Sequence, residues 1–254
     1  MAEPGYRIVA ATGLDPGDRE YQQDQLCLLI HPRHTGCILG VVADGMGGLS
    51  GGRKAADQVV LTAQQLFERF DPDDSPSGFL DQFVREAHLV IRLIAMASAE
   101  EPHSTVAAFL LMPDGTCQWI HCGDSRLYHY RGAKLIQRTL DHSYVQRLVE
   151  QGELDATELR FDPRSNLLLH CLGTDHQPES EQQTLGQIQA GDTLLACSDG
   201  LWHHFDNDEL GEIVAELSPK EACQFLVQKA RSRAQGRSDN ISVILVRLET
   251  LRHP

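Results

Sequence analysis

Four aspartates, Asp24, Asp44, Asp199 and Asp239, stand where an apolar run meets a turn, and a fifth, Asp124, follows another such run. Short carboxylates at strand ends are held to small positional errors by the sheet behind them. Several of them converging on one point repel strongly, and bound cations relieve that repulsion. Oxygen donors with few thiolates or imidazoles beside them favour Mg²⁺ or Mn²⁺ over Zn²⁺. Gly45 and Gly200 each follow an aspartate, and glycine lets the backbone approach an ion and offer its carbonyl. Asp-Gly pairs also mark ordinary turns, and Asp114-Gly115 reads as one. The repeated strand-end setting separates the others from it.

The elements that would carry these residues are legible. Residues 25–30 and 36–43 read as strands, the second ending at Asp44-Gly45-Met46-Gly47-Gly48. Ala55, Ala56, Val59, Val60, Ala63, Leu66, Phe67 and Phe70 then fall at helical spacing, as do Phe79, Leu80, Phe83, Val84, Ala87, Val90, Ile91 and Ile94 after a turn-rich break at 71–76. The spacing predicts an antiparallel helix pair. Strands are expected at 105–112 and 117–122 about Pro113-Asp114-Gly115, and a hairpin at 127–130 and 134–136 about Arg131-Gly132. Residues 146–166 are polar and weakly patterned, and read as a flap that shapes substrate choice. A strand at 194–198 stops at Asp199-Gly200. Two helices follow, the second opened by the capping box Ser218-Pro219-Lys220-Glu221, before a last strand at 241–248. With no repeat or long linker, the expectation is one α+β domain over 1–254, with helices outside a two-layer sheet structure.

Composition narrows the function. A 41% hydrophobic content suits a folded core. The formal charge of −14 argues against nucleic acid or an anionic membrane as the main partner. No apolar run approaches the roughly 18 residues of a membrane helix. Residues 1–5 lack the basic and apolar segments of a signal peptide. Seven scattered cysteines without a C-x-x-C pair read as reduced thiols of a cytoplasmic protein.

In sequence order, a set of motifs resembles the type-2C, or PPM, family of metal-dependent protein serine/threonine phosphatases, in its bacterial form. Asp18-Arg19-Glu20-Tyr21-Gln22-Gln23-Asp24 resembles the family's first motif, and Val42-Ala43-Asp44-Gly45-Met46-Gly47-Gly48 its most characteristic one. Ser104-Thr105-Val106, Cys122-Gly123-Asp124-Ser125-Arg126, Asp141-His142-Ser143, Cys197-Ser198-Asp199-Gly200-Leu201-Trp202 and Ser238-Asp239-Asn240-Ile241-Ser242 complete the order, over roughly residues 6–248. The resemblance implies two antiparallel sheets packed as a sandwich, flanked by helix pairs in four α-β-β-α layers. It implies two tightly held Mn²⁺ or Mg²⁺ ions and a weaker third. Asp44 would bridge the pair with the Gly45 carbonyl on one ion. Asp199 and Asp239 would hold an ion from the other sheet, and Asp24 would act mainly through metal-bound water. Asp124, with Asp199, would serve the third ion, and Arg19 would grip the phosphate as a planar fork. The implied reaction is attack on the phosphorus of phosphoserine or phosphothreonine by water activated between the metals, with no phosphoenzyme. The implied partners are phosphoproteins and a cognate serine/threonine kinase or its target.

Gln22 and Gln23 replace an Asn and a frequent acid, Met46 stands where some eukaryotic members place a histidine proposed as general acid, and no histidine follows Gly47-Gly48. Methionine cannot donate a proton, which leaves that step to water. The run from Cys27 to Arg33 fits the C-x₅-R pattern of cysteine phosphatases, but it reads as an apolar strand and Pro32 has no N–H to offer a phosphate. His31 and His34, and His203 and His204, lack structural-zinc spacing, so the histidines read as scattered surface residues. A different class of protein, a silent module that keeps the fold and senses phosphoproteins, is disfavoured by the intact Arg19, Asp44, Asp199 and Asp239.

Overall fold

The computed structural model describes residues 6–71 and 73–251. The reading of residues 1–5 and the Pro72 step of the turn-rich break lie outside them. Strands β1 (Tyr6–Asp15), β2 (Gln25–Ile30), β3 (Ile38–Ala43) and the two-residue β4 (Gly45–Met46) precede the helix pair α1 (Gly48–Arg69) and α2 (Pro76–Ala97). Then come β5 (His103–Ser104), β6 (Val106–Leu111), β7 (Thr116–Cys122), β8 (Arg126–Arg131) and β9 (Lys134–Arg138). After α3 (Tyr144–Glu150) and a 3-10 turn at Leu159–Phe161, the chain forms β10 (Glu181–Gln187), β11 (Asp192–Cys197), α4 (Asp199–Trp202), α5 (Asn207–Glu216), α6 (Pro219–Ala234) and β12 (Ile241–Thr250).

Two five-stranded antiparallel sheets result, in the orders β1-β12-β11-β8-β9 and β10-β7-β6-β3-β2. Their central strands read as continuous apolar runs because both faces are covered. In β6, Val106, Ala108 and Leu110 face α1 and α2, while Ala107, Phe109 and Leu111 face the other sheet. In β12, Ile241, Val243 and Leu245 pack under α6, while Ile244, Val246 and Leu248 enter the space between the sheets. The period of two thus sorts residues into three apolar layers between four layers of structure. The α-β-β-α sandwich expected from the resemblance is the fold found.

The helices stand where the spacing put them. Ser75 caps α2 by accepting from the Gly78 N–H. Ser218 and Glu221 complete the capping box of α6, with Pro219 in its first turn. The differences lie at the edges. Strands β1 and β10 were not foreseen, because both are half-exposed edge strands whose polar residues blur the alternation. Their places are set by partners: β1 pairs with β12 over its whole length. Within the segment read as a flap, α3 is capped by the Ser143 hydroxyl and the 3-10 turn follows.

Candidate metal centre

Strand register delivers the aspartates to one end of the sandwich. Gln25, the first residue of β2, lies opposite Ala43, the last of β3, and Val106 opens β6 opposite Cys122 at the end of β7. In the other sheet Ile241 opens β12 opposite Asp15 at the end of β1, and Cys197 ends β11 opposite Val243 and Arg126. The connections leaving that end carry Arg19, Asp24, Asp44, Asp124, Asp199 and Asp239. A cleft of about 190 Å³ there is lined by Arg19, Asp44, Gly45, Asp124, Asp199 and Asp239, together with Gln23, Met46, Asn166, Leu168 and Asn240. Asp24 is fully buried beside it.

Each carboxylate is fixed by backbone and hydroxyl contacts. The Asp44 N–H donates to Thr105 Oγ1 at 3.0 Å, and the Thr105 N–H returns a bond to the Asp44 carbonyl at 2.9 Å. Thr105 Oγ1 is also 2.7 Å from Ser125 Oγ, which ties Asp44 to the turn carrying Asp124. Asp24 bridges the two sheets: its Oδ2 accepts from Ser198 Oγ at 2.6 Å and from Ser242 Oγ. Its Oδ1 is buried and has no hydrogen-bond partner. Asn240 Oδ1 accepts from the Gln23 N–H at 2.7 Å, and its Nδ2 donates to the carbonyls of Pro16 and Tyr21. Gly45 is needed for space, since a Cβ there would lie 2.0 Å from the Gly52 carbonyl oxygen.

The Asp124 turn has its own support. Trp202 Nε1 donates to the Asp124 carbonyl at 2.8 Å, and the Arg126 guanidinium lies 3.4 Å from the Trp202 ring centre. Arg126 makes a bidentate pair with Asp141, both bonds 2.7 Å. A structural role for Asp124 as the partner of Arg126 is therefore set aside. Arg19 is not a bystander beside Asp18 and Glu20 either: its Nη2 donates to Asp239 Oδ2 at 2.6 Å, while Asp18 holds the Ser238 N–H.

The electrostatics follow from burial of like charges. Burial, and then the charges of Asp24, Asp199, Asp124 and Asp239, push the Asp44 carboxyl well above its ordinary range. Asp124 is pushed the same way by burial and by Asp199. Burial raises Asp24 to about 7 against the opposing hydrogen bonds of Ser198 and Ser242. Asp199 rises to about 6 through burial and Asp239, and stands close enough to Asp44 to share a proton. Protons or cations must neutralise such a cluster at neutral pH. The donor set of carboxylates, a glycine carbonyl and the unpartnered Asp24 Oδ1 fits hard divalent cations that take oxygen ligands.

The residues read from the sequence as site residues share this cleft or its floor. Ser198, Ser242, Thr105 and Asn240 were quoted only as parts of motifs, and their positioning contacts were missed. Hydroxyls and an amide beside the aspartates were the available signal. Asn166 closes the segment read as a flap, while Leu168, just beyond it, gave no signal, because a long excursion brings it back to the cleft. Two sequence readings change or close here. The histidines are not scattered over the surface: His31, His88, His121 and His129 are buried, since imidazoles fit inside where a backbone N–H, a carbonyl or a carboxylate meets one nitrogen. Cys27 lies inside β2, and burial pushes its thiol up to about 12, which removes the C-x₅-R rival.

A family model described as protein phosphatase 2C matches residues 18–235. The serine/threonine protein phosphatase PstP of Mycobacterium tuberculosis is 30% identical over 217 residues, 84% of this chain but 40% of that protein, so the chain spans well under half that relative's length. The serine/threonine phosphatase stp of Listeria monocytogenes is 30% identical over 211 residues, 81% of this chain and 82% of that protein. The solved catalytic domain of PstP in complex with two manganese ions superposes with a TM-score of 0.80 at 26% identity, over 95% of this chain and 98% of that one.

A raised carboxyl pKa means that the folded state holds its proton more tightly than the unfolded chain. Its contribution is therefore lost as pH rises from the ordinary value of 3.8 through about 6 for Asp199 and about 7 for Asp24. Partly buried histidines such as His142, with lowered pKa values, titrate in the opposite sense and cancel in a difference between variants, whereas His203, 3.7 Å from Asp199, contributes to it. In EDTA at pH 7.5, Asp199→Asn should melt several degrees above the wild type, with the gap shrinking by pH 5. Equal melting temperatures at both pH values would refute the buried-charge account.

Proposed function

Since the chain belongs to the protein phosphatase 2C family, we propose that it hydrolyses phosphoserine and phosphothreonine in proteins with water activated at a binuclear Mn²⁺ or Mg²⁺ centre. The observation that carries this reading is the convergence of Asp44, Asp124, Asp199 and Asp239 with Arg19 in one cleft, over a buried Asp24 with a free carboxylate oxygen. Asp44 and the Gly45 carbonyl, Asp199 and Asp239 would hold two ions, Asp24 would orient water beneath them, and Asp124 with Asp199 would hold a weaker third. Bound divalent ions supply Lewis acidity and lower the pKa of a coordinated water from about 16 to about 7.

The chain's own residues account for the rest. Arg19 spends one N–H on Asp239 and keeps the others for phosphoryl oxygens; its side chain is 62% exposed at the rim. Asp44 and Asp124 are held through Thr105 and Ser125, so their positions are set before substrate arrives. Among the residues that line the cleft none is a histidine. With Met46 in place of an imidazole, solvent protonates the departing serine or threonine oxygen. The small cleft suits a phosphomonoester head, and Asn166 and Leu168, with the exposed Leu167 and Leu169 next to them in the chain, would meet the flanking peptide. A cytoplasmic signalling role opposite a serine/threonine kinase completes the proposal. The seven free cysteines support it, and no helix of the described residues is long and apolar enough to cross a membrane.

EDTA should abolish Mn²⁺-dependent hydrolysis of p-nitrophenyl phosphate and of a phosphopeptide, and added Mn²⁺ should restore it. Asp239→Asn should lower kcat by orders of magnitude. Metal binding without turnover would instead identify a silent phosphoprotein-sensing module. For Arg19→Ala, a clear rise in KM with a smaller fall in kcat is expected, only partly rescued by Arg19→Lys; unchanged kinetics would return Arg19 to a surface role. Asp124→Ala should keep two tight ions in a Mn²⁺ titration, lose a weak one, and lose activity mainly towards phosphoprotein. A lowered melting temperature with unchanged Mn²⁺-dependent rates would make Asp124 structural.

A further inference from the structure

A second group of metal-binding side chains stands outside the aspartate cleft. His121 lies on β7 and Glu181 opens β10 directly opposite it. His142 sits between β9 and α3, drawn against the end of β7 by its own N–H to the Gly123 carbonyl and by the Gly123 N–H to its Nδ1. One nitrogen of each ring and a carboxylate oxygen of Glu181 lie within 4.8 Å of one another. The two rings are 4.4 Å apart between centres.

The buried member carries an unused ligand atom. His121 is 1% exposed; its Nε2 donates to the Leu140 carbonyl at 2.7 Å, and its Nδ1 has no partner. An imidazole whose other N–H is anchored on a carbonyl has its tautomer fixed and its free lone pair aimed, which is the arrangement of metal-binding histidines. Burial also lowers the pKa of both rings, that of His142 to about 3, so both are neutral; the Nδ1 lone pair of His142, which accepts from the Gly123 N–H at 3.3 Å, would turn from that N–H to the ion. A pocket of about 370 Å³, lined in part by His142, His170, Glu179 and Glu181, opens the group to solvent and gives an ion a way in.

We propose that His121, His142 and Glu181 form a separate site for a Zn²⁺-class transition-metal ion, with water from the pocket completing its coordination. Two imidazoles and a carboxylate are a borderline-soft donor set suited to Zn²⁺, whereas the aspartate centre offers oxygen alone. Tetrahedral bonds of about 2.1 Å place donors roughly 3.4 Å apart, a closure that needs rotation of the exposed Glu181 and a small shift of the half-buried His142 ring. The ion would clamp β7, β10 and the segment holding Asp141, and so brace the Gly123-Asp124 turn from the side away from the cleft. This rests on the side-chain geometry and not on the phosphatase reading.

The test is a Zn²⁺ titration of the chelator-stripped full chain by calorimetry and thermal melting, with Mg²⁺ in excess to occupy the aspartate centre. The wild type should bind one Zn²⁺ equivalent and melt higher. Asp44→Asn should keep that equivalent. Glu181→Gln and His142→Gln should each weaken Zn²⁺ about tenfold or more. Glu181 is exposed, so Glu181→Gln should leave metal-free melting and Mn²⁺-dependent hydrolysis unchanged. Absence of Zn²⁺ binding by the wild type would overturn the proposal, as would wild-type affinity in both the Glu181 and His142 variants, or loss of the equivalent in Asp44→Asn.

Discussion

Like charges that cannot escape into water are the constraint on which this structure turns. Asp24, Asp44, Asp124 and Asp199 are held with burial as the leading cause of their raised pKa values, and each feels its neighbours. Unfolding would release that repulsion, so the remainder of the chain must oppose it. It does so with three apolar layers and with hydrogen bonds that fix the carboxylates without neutralising them. A divalent ion bound among these carboxylates would relieve the repulsion and stabilise the folded state by its binding free energy.

The two sheets meet this constraint jointly. Asp24 belongs to the β2 end of one sheet, but the hydroxyls on its Oδ2 come from Ser198 and Ser242 at the β11 and β12 ends of the other. Asn240 likewise links the stretch before β12 to the backbone around Pro16, Tyr21 and Gln23. Sliding one sheet over the other would break these bonds and leave buried polar atoms without partners, at about 1–3 kcal/mol each. The apolar layer between the sheets supplies adhesion, and the polar contacts at its end supply the register.

A second chain of contacts runs outward from the cleft. Asp124 receives the Trp202 indole N–H, Trp202 lies under the Arg126 guanidinium, and Arg126 is clasped by Asp141. Next to Asp141 stands His142, bonded to Gly123 on the other side of the same turn. The Asp124 turn is thus gripped from two sides, and the group around His121 and His142 adjoins one of them. A buried ion pair of this kind does little for net stability, but breaking it by removing one partner is costly.

Much of this was legible in the sequence. A residue's type and its place relative to an apolar run are local properties, so the strand-end aspartates, the helix pair and the capping box at Ser218 could be read directly. The sandwich came from the resemblance that the ordered motifs carry, and antiparallel pairing sets the end of one strand beside the start of the next at the same edge. Tertiary structure decided what depends on distant partners. Edge strands β1 and β10 take their place from hydrogen bonding to β12 and β7, and their side chains barely record it. The hydroxyls that hold Asp24 come from 174 and 218 residues away, and nothing in their local pattern marks that contact. His121, His142 and Glu181 have no metal-site spacing along the chain; strand pairing sets His121 beside Glu181, and the bonds of His142 to Gly123 bring it to them. Sequence determined which groups could carry charge and where the central strands would meet their turns, while packing decided which of those groups must share a space without water.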